Sequence, residues 1–166
     1  RGGSRAPGVA GGWVRGRAVI LGARSLIAQA LARELAGRGW DLVLAARNSA
    51  ELEPLASDIS LRCGKTVDLI EFDALNHGAM VSLGKQIENS CGPFQLVVLV
   101  FGYLGNASSD CHATAEIERI LDTNFVGAAI CLQHLAEYLE HRGVAGAGII
   151  GISSVAGDRG RQSNYL

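Results

Sequence analysis

Five short apolar segments alternate with helix-forming segments along the chain, and this order restricts the possible folds more than any other feature. The apolar segments cover residues 17–21, 41–45, 66–72, 94–101 and 148–152. Their continuous apolar character is typical of strands that are buried on both faces. We therefore predict an α/β fold, a doubly wound parallel sheet with helices on both faces. Ligands in such folds bind at the carboxyl ends of the strands.

Helices are predicted between these strands from the spacing of apolar residues and from capping signals. The first helix begins near Ser25, with its apolar face on Ile27, Leu31 and Leu35. Asn48 and Ser49 provide capping side chains for the second helix. The next helix is predicted over residues 78–87, and a long one over residues 113–141.

The chain has 166 residues, which suits a single domain. Residues 1–16 are rich in Gly and Arg without periodicity, so we interpret them as a flexible leader. Residues 17–166 form the predicted domain, which we expect to be incomplete at its carboxyl end, because the chain stops soon after the fifth strand.

Charge and composition exclude several classes of function. The formal net charge is −1, so no global field favours nucleic acid. No apolar run reaches the roughly 20 residues of a transmembrane helix, and no signal peptide is visible. The four cysteines are scattered without a C-x-x-C pair, so we predict no metal site and a reduced, cytoplasmic setting.

The first strand leads into a candidate phosphate-binding turn. Gly22 and Ala23 are small enough for a close backbone approach, Arg24 and Ser25 add a cation and a hydroxyl, and Ile27 lies in the first helical turn. A helix N-terminus offers N–H groups and a positive dipole end to a pyrophosphate. Only one glycine of the usual three is present, and the alternative interpretation is an ordinary tight turn with a solvated Arg24.

The residues after the second and third strands indicate which dinucleotide would bind. NAD sites usually carry an acid after the second strand, but this chain has Ala46 followed by Arg47. Arg47 could bind a 2′-phosphate, so we predict NADP(H) in preference to NAD(H). Asp73 could accept a hydrogen bond from the adenine amino group while the N–H of Ala74 reaches a ring nitrogen. The alternatives are a solvent-facing Arg47 and a helix-capping Asp73.

Taken together, these motifs resemble the short-chain dehydrogenase/reductases, whose domain is a Rossmann fold. Residues 21–28, LGARSLIA, are similar to the family's Thr-Gly-x-x-x-Gly-x-Gly. Asp73 is similar to its adenine-binding aspartate, and residues 99–102 keep only Gly102 of Asn-Asn-Ala-Gly. Residues 122–125 and 148–157 resemble the segments that carry the family's asparagine and serine.

The resemblance implies a dinucleotide-binding domain over residues 17–166 and an oxidoreductase that reduces a ketone. It implies that Ser154 orients the carbonyl and that Asn124 holds a water in the proton relay. The alternatives are a turn residue at Ser154 and, at Asn124, a buried hydrogen-bonding residue that bends the helix. The family's tyrosine lies about 13 positions after the serine, so that both reach one oxygen. Tyr165 lies 165 − 154 = 11 positions after Ser154. We therefore expect the catalytic tyrosine and lysine beyond Leu166 and expect this fragment to be inactive. Tyr165 would then line the approach to the site, and the alternative is that Tyr165 is itself the acid.

Residues 71–75, 100–105 and 154–159 also resemble the decaprenylphosphoryl-2-keto-ribose reductases. That branch implies a lipid-linked keto sugar as the small-molecule substrate, a location at the inner membrane face and a partner oxidase. The wider family implies a homo-oligomer in the full-length protein. Two alternatives remain: a non-catalytic dinucleotide-binding or partner-binding module, and an extended sugar-nucleotide epimerase. A Tyr-x-x-x-Lys motif beyond Leu166 would distinguish the enzyme from the module.

Overall fold

The described residues form one parallel sheet sandwiched between helices. The structure is a computed structural model, and it describes residues 16–105 and 114–154. The strands lie in the order β3-β2-β1-β4-β5, and every neighbouring pair is parallel. They span β1 Arg17–Leu21, β2 Asp41–Ala46, β3 Val67–Glu71, β4 Leu96–Leu99 and β5 Gly148–Gly151. The predicted α/β fold is confirmed, and each predicted strand is present.

Helices cover both faces of this sheet and create two separate cores. They span α1 Leu26–Gly37, α2 Glu53–Cys63, α3 His77–Met80, α4 Leu83–Cys91, α5 Thr114–Leu121 and α6 Gly127–His141. One core joins β-strand side chains to α1 and α2, and the other joins them to α3, α4 and α6. Because successive strand residues alternate between these two cores, β1, β2 and β4 are almost wholly buried. The central strands are therefore rigid supports for the loops that follow them.

Helix α1 packs on the sheet through a face that differs in part from the predicted one. Its buried residues are Ala28, Ala32 and Ala36, whereas the side chain of Ile27 is 61% exposed. The predicted face is confirmed for Leu31 and Leu35, which are partly buried against this core, and was wrong for Ile27. The alanines form the centre of the contact because their small side chains allow the helix axis to approach the sheet closely. The larger side chains lie beside this contact or outside it.

The start of α2 also differs from the prediction. Asn48 adopts a left-handed conformation with φ 52° and makes no capping hydrogen bond through its side chain. Instead, the Glu71 carboxylate accepts hydrogen bonds from the N–H groups of Asn48 at 2.8 Å and Ser49 at 2.9 Å. A 3₁₀ turn, Ser49–Leu52, then leads into α2. The end of β3 thus stabilises the loop after β2, through a contact between residues distant in sequence.

The long predicted helix is present but interrupted. A π-helical turn, Asp122–Val126, separates α5 from α6. Gly127 follows this turn and packs closely against the backbone of Ala74. An added Cβ would lie 2.3 Å from the Ala74 carbonyl oxygen. This contact brings the start of α6 against the loop after β3. The predicted helix over residues 78–87 is likewise divided, into α3 and α4.

Several predictions fall outside the described residues. These are the leader up to residue 15, the end of the serine motif at 155–157, and Tyr165.

Within residues 16–105 and 114–154, no helix has the length and apolar character needed to cross a membrane.

Candidate functional site

A cavity of about 330 Å³ opens at the carboxyl ends of β1, β2, β3 and β4. The loops after these strands supply most of its lining, and α5 and the π-helical turn supply the rest. The cavity brings together seven of the residues predicted from the sequence: Gly22, Arg24, Ser25, Arg47, Asp73, Ala74 and Gly102. The sheet order explains this arrangement, because parallel neighbours end at one edge.

Gly22 allows the ends of β1 and β4 to approach each other. Its φ of 91° disfavours any residue with a side chain, and an added Cβ would lie 2.6 Å from the Phe101 backbone nitrogen. The N–H groups of Gly22 and Ala23 both donate to the Ala45 carbonyl, at 2.8 and 3.1 Å. Ala23 is buried and does not line the cavity. Its amide therefore holds the shape of the loop and is not available to a ligand.

The first turn of α1 presents unused N–H groups beside the cavity. The Ser25 hydroxyl caps the helix by accepting a hydrogen bond from the Ala28 N–H at 3.1 Å. The amides of Leu26 and Ile27 also lie in this turn, where no preceding helical carbonyl can accept their hydrogen bonds. The Ile27 side chain does not line the cavity, so this residue can contribute through its backbone. This helix end can bind an anion.

Two arginines near the first two strands differ in their partners. Arg24 forms an ion pair with Glu51 at 2.7 Å. Arg47 follows the buried Ala46 and has no carboxylate at ion-pair distance within the described part of the chain. Glu51 could not be identified from the sequence, because the approach of its carboxylate to Arg24 depends on how the loop after β2 folds. Arg47 can therefore offer its guanidinium to a ligand without first breaking an ion pair.

Asp73 lines the cavity and shapes the turn after β3. One carboxylate oxygen accepts a hydrogen bond from the Leu75 N–H at 3.0 Å. The N-cap of α3 is Asn76, whose side chain accepts from the Ala79 N–H at 3.2 Å. The alternative interpretation of Asp73 as a helix cap was therefore wrong. A carboxylate has further acceptor capacity, so Asp73 can still bind a ligand donor.

Tyr103 and the residues around it form a side of the cavity that the sequence analysis missed. The Tyr103 hydroxyl donates to Glu116 at 2.8 Å, and this hydrogen bond raises the pKa of Tyr103. The Arg119 guanidinium lies 4.4 Å from the centre of the Tyr103 ring. No motif marks these residues, since their contact joins the loop after β4 to α5. Tyr103 and Arg119 both line the cavity.

The Asn124 side chain holds the backbone of Tyr103. Its Oδ1 accepts from the Tyr103 N–H and its Nδ2 donates to the Tyr103 carbonyl, each at 2.7 Å. Ser154 follows β5 and is exposed. Neither Asn124 nor Ser154 lines the cavity. The structure thus assembles the predicted cofactor-binding loops in one cleft and places the two predicted catalytic residues outside its lining.

Metal binding and thiol chemistry have little support in the described residues. No three His, Cys, Asp or Glu side chains of residues 16–105 and 114–154 lie close enough together to bind a metal ion. Burial raises the pKa of the Cys131 thiol to about 12, which keeps this thiol protonated at neutral pH. The cleft is therefore the candidate functional site in this part of the chain.

A parallel sheet of this order, with a helix N-terminus and a glycine turn at the cleft, defines a nucleotide-binding α/β protein of the Rossmann type. Comparison with known proteins is consistent with this class. The family model described as short chain dehydrogenase matches residues 17–165. An uncharacterized oxidoreductase of Mycobacterium tuberculosis is 37% identical over 149 residues, covering 89% of this chain and 58% of the relative.

The solved structures that resemble the chain have the same fold. A short-chain dehydrogenase/reductase from Mycobacterium marinum superposes with a TM-score of 0.78 at 27% identity, covering 90% of this chain and 61% of the other. An alcohol dehydrogenase from Thermococcus sibiricus, solved with 5-hydroxy-NADP, has a TM-score of 0.74 at 22% identity and covers 91% and 64%. The chain belongs to the short-chain dehydrogenase/reductase family. It spans 58% of the length of its curated mycobacterial relative.

Proposed function

We propose that the protein is an NADP(H)-dependent oxidoreductase that reduces a ketone by hydride transfer. The observation that carries this proposal is Arg47, a cation without an ion-pair partner among the described residues, at the carboxyl end of β2. The residue before it is Ala46, so no carboxylate stands where NAD sites bind the ribose 2′-hydroxyl. Solved neighbours of this fold hold either cofactor, 5-hydroxy-NADP in the Thermococcus sibiricus alcohol dehydrogenase and NAD⁺ in a xylitol dehydrogenase, so the proposed preference rests on Arg47 and Ala46.

The residues of the cleft fit a dinucleotide. Gly22 lines the cleft at the turn after β1, where it lets the ends of β1 and β4 approach, and the N–H groups of Leu26 and Ile27 are oriented by α1. Asp73 and the Ala74 amide would bind the adenine, and Arg47 the 2′-phosphate. Gly102 lines the same cleft at the end of β4. When bound, NADPH supplies the hydride.

The protein's own residues would then bind and polarise the ketone. In this proposal the Ser154 hydroxyl donates a hydrogen bond to the carbonyl oxygen as negative charge develops there. Asn124 fixes the Tyr103 backbone and with it the wall of the cleft. The carbonyl carbon receives the hydride and the oxygen receives a proton, which the family resemblance assigns to a tyrosine. A keto sugar remains a prediction for the substrate.

Turnover by the full-length protein tests this function. NADPH oxidation, followed by absorbance with a panel of simple ketones and 2-keto sugars, should occur and should exceed NADH oxidation. Ser154→Ala should lower kcat while NADPH binding stays unchanged, because Ser154 does not line the cofactor cleft. Absence of NADPH binding would refute the proposal.

A second candidate function is a non-catalytic module that binds the cofactor. It is favoured by the position of Asn124, whose amide oxygen and nitrogen are both used by Tyr103. Leu99 and Val100 also occupy the two positions where the family usually has asparagines. NADPH binding by the full-length protein without turnover of any ketone would support this module over the enzyme.

Glu51→Gln should increase NADPH affinity. The present ion pair holds Arg24 at the edge of the cleft, and both partners are about half exposed, so releasing it costs about 1 kcal/mol or less. The freed guanidinium can contact a cofactor phosphate, and the expected gain in affinity is roughly fivefold at low salt. Titration by calorimetry checks this. Glu53→Gln is the matched control, since Glu53 is an exposed carboxylate two residues away. This variant should bind NADPH with the affinity of the wild type.

A further inference from the structure

Among the described residues, three arginines line the cleft, and they differ in availability. Arg24 comes from the loop after β1, Arg47 from the loop after β2 and Arg119 from α5. Arg24 is neutralised by Glu51. Arg119 reaches the cleft from α5, a different element from the one that carries Arg47, and no sequence motif assigns it a role. A role for Arg119 must be argued from its contacts in the structure.

Arg119 lies over the ring of Tyr103. Its guanidinium lies 4.4 Å from the centre of the Tyr103 ring. Tyr103 is itself fixed twice, through its hydroxyl by Glu116 and through its backbone by Asn124. A guanidinium stacked on an aromatic ring keeps its N–H edge available for hydrogen bonds in the plane. This contact restricts the Arg119 side chain and leaves its N–H groups available to an anion in the cleft.

Arg47 and Arg119 act in the same electrostatic environment. Glu116 raises the pKa of the Tyr103 hydroxyl, and the positive charges of Arg119 and Arg47 both oppose that rise. Arg47, Arg119 and Tyr103 all line the same cavity, so both guanidiniums can face one ligand there. A phosphate monoester carries a charge of about −1.5 to −2 at neutral pH, which one arginine does not balance. A site with two arginines matches this charge.

We propose that Arg119 is a second cofactor-binding residue, which binds the adenosine 2′-phosphate of NADP(H) together with Arg47. The proposal rests on the proposed function and adds a specificity-determining residue to it. If Arg119 served only as a packing partner of Tyr103, a different pattern of nucleotide affinities would be expected on its replacement. Loss of packing would weaken every nucleotide that uses the cleft, whereas loss of a 2′-phosphate contact weakens only the phosphorylated one.

The test compares NADPH and NADH binding by the full-length wild type and Arg119→Gln, measured by calorimetry at low salt. Arg119→Gln should weaken NADPH roughly tenfold, in line with one charge-assisted hydrogen bond. Its NADH affinity should stay unchanged, which also shows that the variant is folded. Arg38→Gln removes the same charge from a side chain that is 71% exposed and outside the cleft lining, and should change neither affinity. Adenosine 2′,5′-bisphosphate should show the same tenfold loss in Arg119→Gln.

Three outcomes would overturn the inference, and they separate it from the proposed function. Unchanged NADPH affinity in Arg119→Gln, with tight binding by the wild type, removes Arg119 from the site and leaves the function standing. An equal loss for NADPH and NADH identifies a structural role. If the wild type binds neither nucleotide, the proposed function fails and this inference fails with it.

Discussion

Arg47→Asp is expected to reverse the cofactor preference of the full-length protein from NADPH to NADH. The substitution removes a charge-assisted hydrogen bond to the 2′-phosphate and places a carboxylate beside it. Together these changes should cost about 3 kcal/mol, which corresponds to a roughly hundredfold loss of NADPH affinity. The new carboxylate can accept a hydrogen bond from the ribose 2′-hydroxyl, so NADH binding should hold or improve.

Steady-state kinetics with each cofactor, together with direct titration, measure this change. Arg38→Asp is the control, since it makes the same charge change at the end of α1 that lies outside the cleft lining. A variant at position 47 with an unaltered ratio of NADPH to NADH affinity would show that Arg47 does not contact the cofactor.

Gly22→Ala should destabilise the protein and abolish nucleotide binding. Gly22 has a φ of 91°, and a Cβ at this position would lie 2.6 Å from the nitrogen and 2.7 Å from the Cα of Phe101. Both are backbone atoms, so no side-chain rotation relieves the contact. Backbone strain and overpacking together should lower the free energy of unfolding by about 2–5 kcal/mol. The β1 and β4 ends would separate, and the phosphate-binding turn would change shape.

Urea denaturation followed by circular dichroism measures the loss of stability. Gly64→Ala is the matched control, because Gly64 also has a positive φ, 63°, but nothing lies within 4 Å of an added Cβ. It should show only the conformational cost, about 1–2 kcal/mol. If the two variants lose equal stability, the close approach of Phe101 to Gly22 is not present in solution.

The positions of the strands along the chain and the family could be predicted because they depend on local patterns. Continuous apolar runs mark buried strands whatever their neighbours, and the turn at Gly22 carries its own signal. The loops that follow these strands meet at one sheet edge by geometry, so the grouping of Arg47, Asp73 and Gly102 could also be predicted.

Contacts between distant segments could not be predicted in the same way. The Glu71 carboxylate, and not the Asn48 side chain, accepts hydrogen bonds from the backbone N–H groups before α2. This contact depends on the pairing of β2 with β3. Glu51 and Arg119 appear in the sequence as ordinary charged residues of polar helical segments. Their partners, Arg24 and Tyr103, become neighbours only when the chain is folded. The centre of the buried face of α1 was missed because the stripe of alanines carries a weaker apolar signal than the larger residues beside it.

The central claim is that a dinucleotide lies against the first turn of α1 and across the ends of β2 and β3. Amide chemical shifts of the isotope-labelled full-length protein, recorded during titration with NADP⁺, test it most directly. The largest changes are expected at Leu26, Ile27, Arg47 and Ala74, which carry or adjoin the proposed donors. Changes confined to the opposite sheet edge, around Gly64 and Gly92, or no changes at all, would contradict the claim.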